Sequence, residues 1–169
     1  LYEIRGITTL SSLTAEFIFY LMLPLVNAPN AAQREAQLAL FERLVPFAAA
    51  LGTPGITISP GILHKDGPAH SLARAVPALL RMAAAIEDTD LRLSFEPHMD
   101  SAAERPDQAL LLLEAVPGLS LTLDPAHFTY QGLGRAALAP LMEHIAHVQV
   151  RQAKRGVLQT PHDEGTINV

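Results

Sequence analysis

The chain has 169 residues, 49% of them hydrophobic and 17% charged, with a formal net charge of -5 and no cysteine. That apolar share excludes a disordered chain, and the acidic balance argues against nucleic acid, whose phosphates need a basic face. Without cysteine there can be no disulfides and no thiolate metal sites.

No run reaches the roughly 18 apolar residues needed to cross a bilayer, so no membrane partner is expected. The most apolar segment, 17–26, contains Pro24. A soluble, cytoplasmic, single domain over residues 1–169 is the expectation. The first residue is Leu1 and not Met, so the chain reads as a piece of a longer protein.

Short β-branched or Leu-rich runs alternate with longer amphipathic ones. Residues 17–23 read as a strand. Residues 31–51 read as a helix with Leu38, Phe41, Leu44, Val45 and Ala48 on one side, closed by Gly52 and Pro54. Residues 55–59 form a buried strand, followed by a Gly/Pro-rich loop over 60–68. A helix over 69–87, a strand over 91–96 and a helix over 105–116 follow, the last with Pro106 in its tolerant first turn. A strand over 119–124, a helix over 133–144 and a strand over 146–150 complete the pattern. Pro46 and Pro77 lie inside helical runs and predict a kink or a restart. Strand–helix alternation at about 30 residues per unit predicts a parallel sheet. The architecture is then an incomplete (β/α)8 barrel, with about six of eight strands, or an open doubly wound sheet. Periodicity does not choose between them.

In either architecture, function gathers beyond the C-terminal strand ends. There the sequence carries Glu96-Pro97-His98, Asp124-Pro125-Ala126-His127 and Gln149-Val150-Arg151, with Ser59 after the earlier strand. A carboxylate ending an apolar buried strand is costly unless something positive or hydrogen-bonding receives it, and a divalent cation would receive two. The simpler alternative is that Asp124 caps the following helix and Glu96 pairs with an arginine. His127 is open to three readings: metal ligand, donor to a substrate hydroxyl, or a satisfied loop histidine. His98 reads as pocket wall. Arg155 lies in a polar loop from which it could reach an anionic or hydroxylated ligand.

The segments Phe95-Glu-Pro-His-Met-Asp-Ser101, Leu123-Asp-Pro-Ala-His-Phe128, His147-Val-Gln-Val-Arg-Gln-Ala153 and Glu164-Gly-Thr-Ile-Asn168 resemble the sugar phosphate isomerase/epimerase family of xylose-isomerase-like TIM barrels. The likeness extends from Tyr2-Glu-Ile-Arg5 onward, and Asp-x-x-His after a strand is its most specific part. It implies a (β/α)8 barrel holding one divalent metal ion (Mn2+, Mg2+, Co2+ or Zn2+). Glu96, Asp124 and Gln149 would be ligands, with Gln149 standing where the family usually has His. It also implies that His127 and Arg155 bind substrate, and His98, as pocket wall, is taken with them as a substrate-binding residue. The fourth ligand, a Glu on the last strand, is expected beyond Val169, since Glu164 falls in the loop before it.

The implied reaction is isomerisation or epimerisation of a small ketose, aldose or polyol by proton transfer through an enediolate, with Glu96 as a catalytic carboxylate. A small sugar or polyol is the implied partner, and assembly into a homo-oligomer is left open. An inosose-type dehydratase, a metal-dependent hydrolase on the same barrel, or a catalytically degenerate binding domain are the alternatives. The fragment by itself is expected to be inactive.

Overall fold

The structure is a computed structural model and describes residues 18–20 and 24–168. Five parallel strands pair in chain order, each with the next: β1 (Ile18–Tyr20), β2 (Gly55–Ile58), β3 (Arg92–Phe95), β4 (Leu119–Leu123) and β5 (Ile145–Val148). A doubly wound sheet reverses its strand order at a switch point; this order has no reversal. Between the strands run α1 (Ala31–Leu51), α2 (Pro68–Ile86) and α3 (Pro106–Ala115). After β4 come α4 (Pro125–Tyr130), α5 (Arg135–Leu138) and a 3-10 turn at Ala139–His144. The segment Tyr2–Arg5, where the family likeness begins, lies outside the described residues.

Each helix begins and ends for local reasons. The Asn30 side chain accepts hydrogen bonds from the Ala32 and Gln33 amides at the start of α1, satisfying amides the helix leaves unpaired. Gly52 closes α1 in the left-handed region with φ of 75°, which glycine adopts without a steric penalty. No restart occurs at Pro46 or Pro77: α1 and α2 each run as one helix through their proline. Both prolines are exposed, on the side of their helices away from the core.

The helix expected over 133–144 is corrected to one turn of α-helix and a 3-10 segment. Gly134 and Pro140 leave too few uninterrupted good formers between them.

The two faces of the sheet differ in kind. Ile56, Ile58, Leu93, Phe95, Leu121 and Leu123 belong to one buried core with Phe41, Leu79, Met82 and Leu112 of the helices. The alternate positions are polar: Thr57 on β2, Ser94 on β3, Ser120 and Thr122 on β4, with Ser59, Glu96 and Asp124 directly after the three strands. Ser94 and Ser120 bond across the β3–β4 pair at 2.8 Å, and Thr57 and Thr122 meet at 2.7 Å although β3 lies between their strands. In a flat sheet β2 and β4 would lie about 9.5 Å apart. Inner side chains that meet across an intervening strand require strong curvature, with alternate strands filling one layer as in a closed barrel. The sheet is therefore a stretch of barrel wall, and its polar inner face leads up to the carboxylates.

The β4–β5 pair has an irregular register. Leu121 lies opposite Ile145, but Thr122 lies opposite His147 and Leu123 opposite Val148. One residue, Ala146, is thus extra on β5, a bulge. Continuing the shifted register brings Gln149 level with Asp124, and the Gln149 amide donates to the Leu123 carbonyl at 2.9 Å. Without the bulge Val148 would be level with Asp124.

Candidate metal centre

Glu96 follows β3 directly, its amide donating to the Ile58 carbonyl at 3.0 Å and extending the ladder by one residue. Asp124 is both the end of β4 and the N-cap of α4. One carboxylate oxygen accepts from the Ala126 amide at 2.9 Å, and Pro125 takes the first helical position, where its missing N–H costs nothing. The capping alternative is therefore correct for one oxygen of Asp124, and the other remains for the site. The same cap sets His127 in the first turn of α4, with Nε2 3.7 Å from Asp124 Oδ2 and 3.4 Å from Glu96 Oε1.

Glu96, Asp124 and His127 are all buried, and one ligand atom from each lies within 4.8 Å of the other two. Two carboxylate oxygens and an imidazole nitrogen, withdrawn from water and that close, are the donor set of a hard or borderline divalent ion. The residues fit the expected metal. Gln149 lines the same cavity of about 410 Å³, with His98, Val150, Arg151 and Leu158 completing the lining.

His98 sits in a tight turn after Glu96, in which Asp100 adopts φ of 62°, a conformation Asp tolerates better than most residues. Both its ring nitrogens are engaged: Nε2 with Ser59 Oγ at 3.0 Å and Nδ1 with the Met99 carbonyl at 2.7 Å. It therefore shows the cavity a ring and no free nitrogen. Its ring centroid lies 5.9 Å from that of His127, and the Met99 amide approaches His127 Nδ1 at 3.2 Å.

Arg155 is not brought to this cavity. It lies across Gly132, where an added Cβ would come within 3.2 Å of its Nε. There it lines a second cavity of about 740 Å³, against the outer side of β5 with Val148 and Val150. The arginine that does reach the cavity and its Asp124 carboxylate is Arg151, a residue not singled out from the sequence. Its Nη2 lies 2.7 Å from Asp124 Oδ2 and 2.8 Å from His127 Nε2. The available signal was alternation, since His147, Gln149 and Arg151 are two apart along one strand direction. Glu164 pairs with Lys154 at the surface, at 3.1 Å, away from the cavity.

A curved parallel sheet with acidic residues at its C-terminal mouth defines the class: a barrel-wall protein with its reactive groups where parallel barrels keep them. Comparison with known proteins narrows this. The sequence profile described as xylose isomerase-like TIM barrel matches residues 7–168, and the chain belongs to that family. Among solved structures it is similar to a D-tagatose 3-epimerase-like protein (TM-score 0.79, 14% identity, 89% of this chain and 61% of that one). It is also similar to D-allulose 3-epimerase from Methylomonas sp. in complex with D-allulose (TM-score 0.75, 17% identity, 88% and 55%). A third similar structure is an IOLI protein with a bound zinc atom (TM-score 0.73, 16% identity, 96% and 61%). The chain thus spans about 55–61% of the length of these structures. No curated protein sequence gives a significant match. Among the described residues, no helix is long and apolar enough to cross a membrane.

Proposed function

We propose that the protein is a metal-dependent sugar isomerase or epimerase acting on a small ketose, aldose or related polyol, and that this chain carries most of its metal centre. The observation that supports the reading best is the buried Glu96–Asp124–His127 cluster, with all three ligand atoms within 4.8 Å, at the strand-end mouth of an xylose isomerase-like sheet. Glu96, Asp124 and Gln149 would hold the ion, and His127 stands close enough to share it. A bound divalent ion supplies Lewis acidity for neighbouring carbonyl and hydroxyl oxygens of a substrate.

The chain's own groups do the rest. Glu96 takes a proton from the carbon beside the carbonyl and returns it after the double bond has shifted. A second carboxylate on the opposite face of the substrate would serve epimerisation. His127, by its position beside both carboxylates, orients a substrate hydroxyl. His98, with both nitrogens engaged, contributes a flat wall against the apolar face of a sugar. Arg155 is left with a substrate role only at the outer rim, beyond Val150. Ligand size agrees with the cavity of about 410 Å³, within the range of small-molecule pockets.

The test is metal content and turnover in the intact protein. Stoichiometric Mn2+ after reconstitution, together with C3 epimerisation of ketohexoses that disappears in Glu96→Gln, is the expected result. Equal turnover in Glu96→Gln would reject its role as base. Failure to retain any divalent ion would reject the centre itself.

A further inference from the structure

We infer that Arg151 is a built-in rival of the metal ion, a side-chain cation that holds the ligand set in the metal-free protein and is displaced when the ion binds. The inference rests on the metal centre proposed above and adds a competitor for its ligands.

Arg151 Nη2 touches Asp124 Oδ2 at 2.7 Å and His127 Nε2 at 2.8 Å. Asp124 Oδ2 is a ligand atom of the proposed centre, and His127 belongs to the buried group whose ligand atoms lie within 4.8 Å of one another. Asp124 has no other oxygen to offer freely, since Oδ1 is committed to the Ala126 amide at 2.9 Å. An imidazole nitrogen has one in-plane lone pair, so Nε2 can face a metal or receive an N–H, never both. A metal ligated at roughly 2.0–2.2 Å and a guanidinium nitrogen at hydrogen-bond distance from the same atoms would overlap in space and repel in charge. Occupancy by one excludes the other.

The seat also lacks the bonds of a permanent salt bridge. Arg151 Nε is buried with no hydrogen-bond partner, a donor stripped of water without compensation. His127 is contested as well: the Met99 amide points at Nδ1 from 3.2 Å while Arg151 points at Nε2. A neutral imidazole accepts at one nitrogen only. If Met99 N–H holds Nδ1, the proton is on Nε2 and faces the guanidinium, leaving Asp124 alone to keep Arg151 in place. Departure of Arg151 relieves both conflicts. The side chain is 30% exposed and lines an open cavity, so it has somewhere to go, into the volume where a substrate would lie.

The test is Mn2+ titration by calorimetry on the intact, metal-stripped protein, comparing wild type, Arg151→Gln, Arg151→Lys and Glu96→Gln, with thermal melting in parallel. If Arg151 occupies the site in about nine of ten metal-free molecules, the apparent Kd of the wild type is about tenfold weaker than that of Arg151→Gln. Arg151→Gln is expected to bind Mn2+ that much more tightly, to melt lower without metal and to gain more Tm on adding it. Arg151→Lys keeps the charge but not the planar fork and is expected to fall between; it also serves if the Gln variant fails to fold. Unchanged or weaker Mn2+ binding in Arg151→Gln, with Glu96→Gln still weakening it, overturns the competition and leaves the metal centre standing. No binding in wild type and in Arg151→Gln overturns the centre and the competition together.

Discussion

Two clusters of opposite charges in this protein look alike on paper and differ in every physical respect. On the helical surface Arg81 of α2 reaches Glu35 and Glu42 of α1 at 2.6 and 2.9 Å, with the arginine 44% exposed. At the sheet mouth Arg151 meets Asp124 at 2.7 Å, with the carboxylate 2% exposed and Glu96 4% exposed nearby. In the first cluster water competes for every charge, so little free energy depends on it. In the second, two carboxylates have been taken out of water together. Such a burial needs a compensating cation, and here the Arg151 guanidinium stands beside Asp124.

The first way to sharpen this contrast is Glu96→Gln. Loss of the base and of a ligand charge should lower turnover by roughly 10²- to 10⁴-fold, while the metal-free protein melts no lower than wild type, because one of two close buried negative charges is gone. A large drop in Tm would mean that Glu96 is structural.

The inner wall offers a second test. Thr57→Val leaves the Thr122 hydroxyl buried without its partner and should destabilise by about 1–3 kcal/mol, whereas the double change Thr57→Val, Thr122→Val should recover most of it. Chemical denaturation of the three proteins measures this. An additive loss would mean that the two hydroxyls are not paired.

Asp124 separates capping from ligation. Asn caps a helix as well as Asp, so Asp124→Asn should keep the α4 start and lose metal binding, while Asp124→Ala should in addition cost about 1 kcal/mol of stability. Equal melting of the two variants would remove the cap from the account. At the exposed cluster, Arg81→Ala should change stability by no more than about 1 kcal/mol, and high salt should erase the difference.

The smallest effect is expected at the other surface clasp. The Arg74 guanidinium, hydrogen-bonded to Asp66, lowers that carboxyl from its ordinary range to about 2. A depressed acid contributes stability that is complete above the unfolded value of 3.8 and is lost as pH falls through about 2. Asp66→Asn should therefore melt slightly lower than wild type near neutrality, with the difference closing as the pH falls from about 3.8 toward 2 and the acid limb of the Tm profile flattened between those values.

Much of the site was legible along the chain because strands have period two and parallel sheets put function at their C-terminal ends. Glu96, Asp124 and His127 could be picked out for that reason, and the Asp-Pro-x-His spacing follows from a cap, a first-turn proline and a side chain one step on. The helix boundaries were legible where Gly52 and Pro106 supply local signals. Pro46 and Pro77 do not restart their helices, because a proline removes one helical hydrogen bond without necessarily ending the helix.

What only tertiary structure decided has one physical cause: curvature and register are properties of pairs of strands. The meeting of Thr57 with Thr122 across β3 distinguishes a barrel wall from an open sheet, and no single strand encodes it. The bulge at Ala146 turns Gln149 toward Asp124 and leaves Val148 on the outer side with Arg155. A shift of one residue exchanges the faces of a strand, so the choice between Arg151 and Arg155 at the carboxylates was made by strand pairing, after the residue types had already limited what the pocket could do.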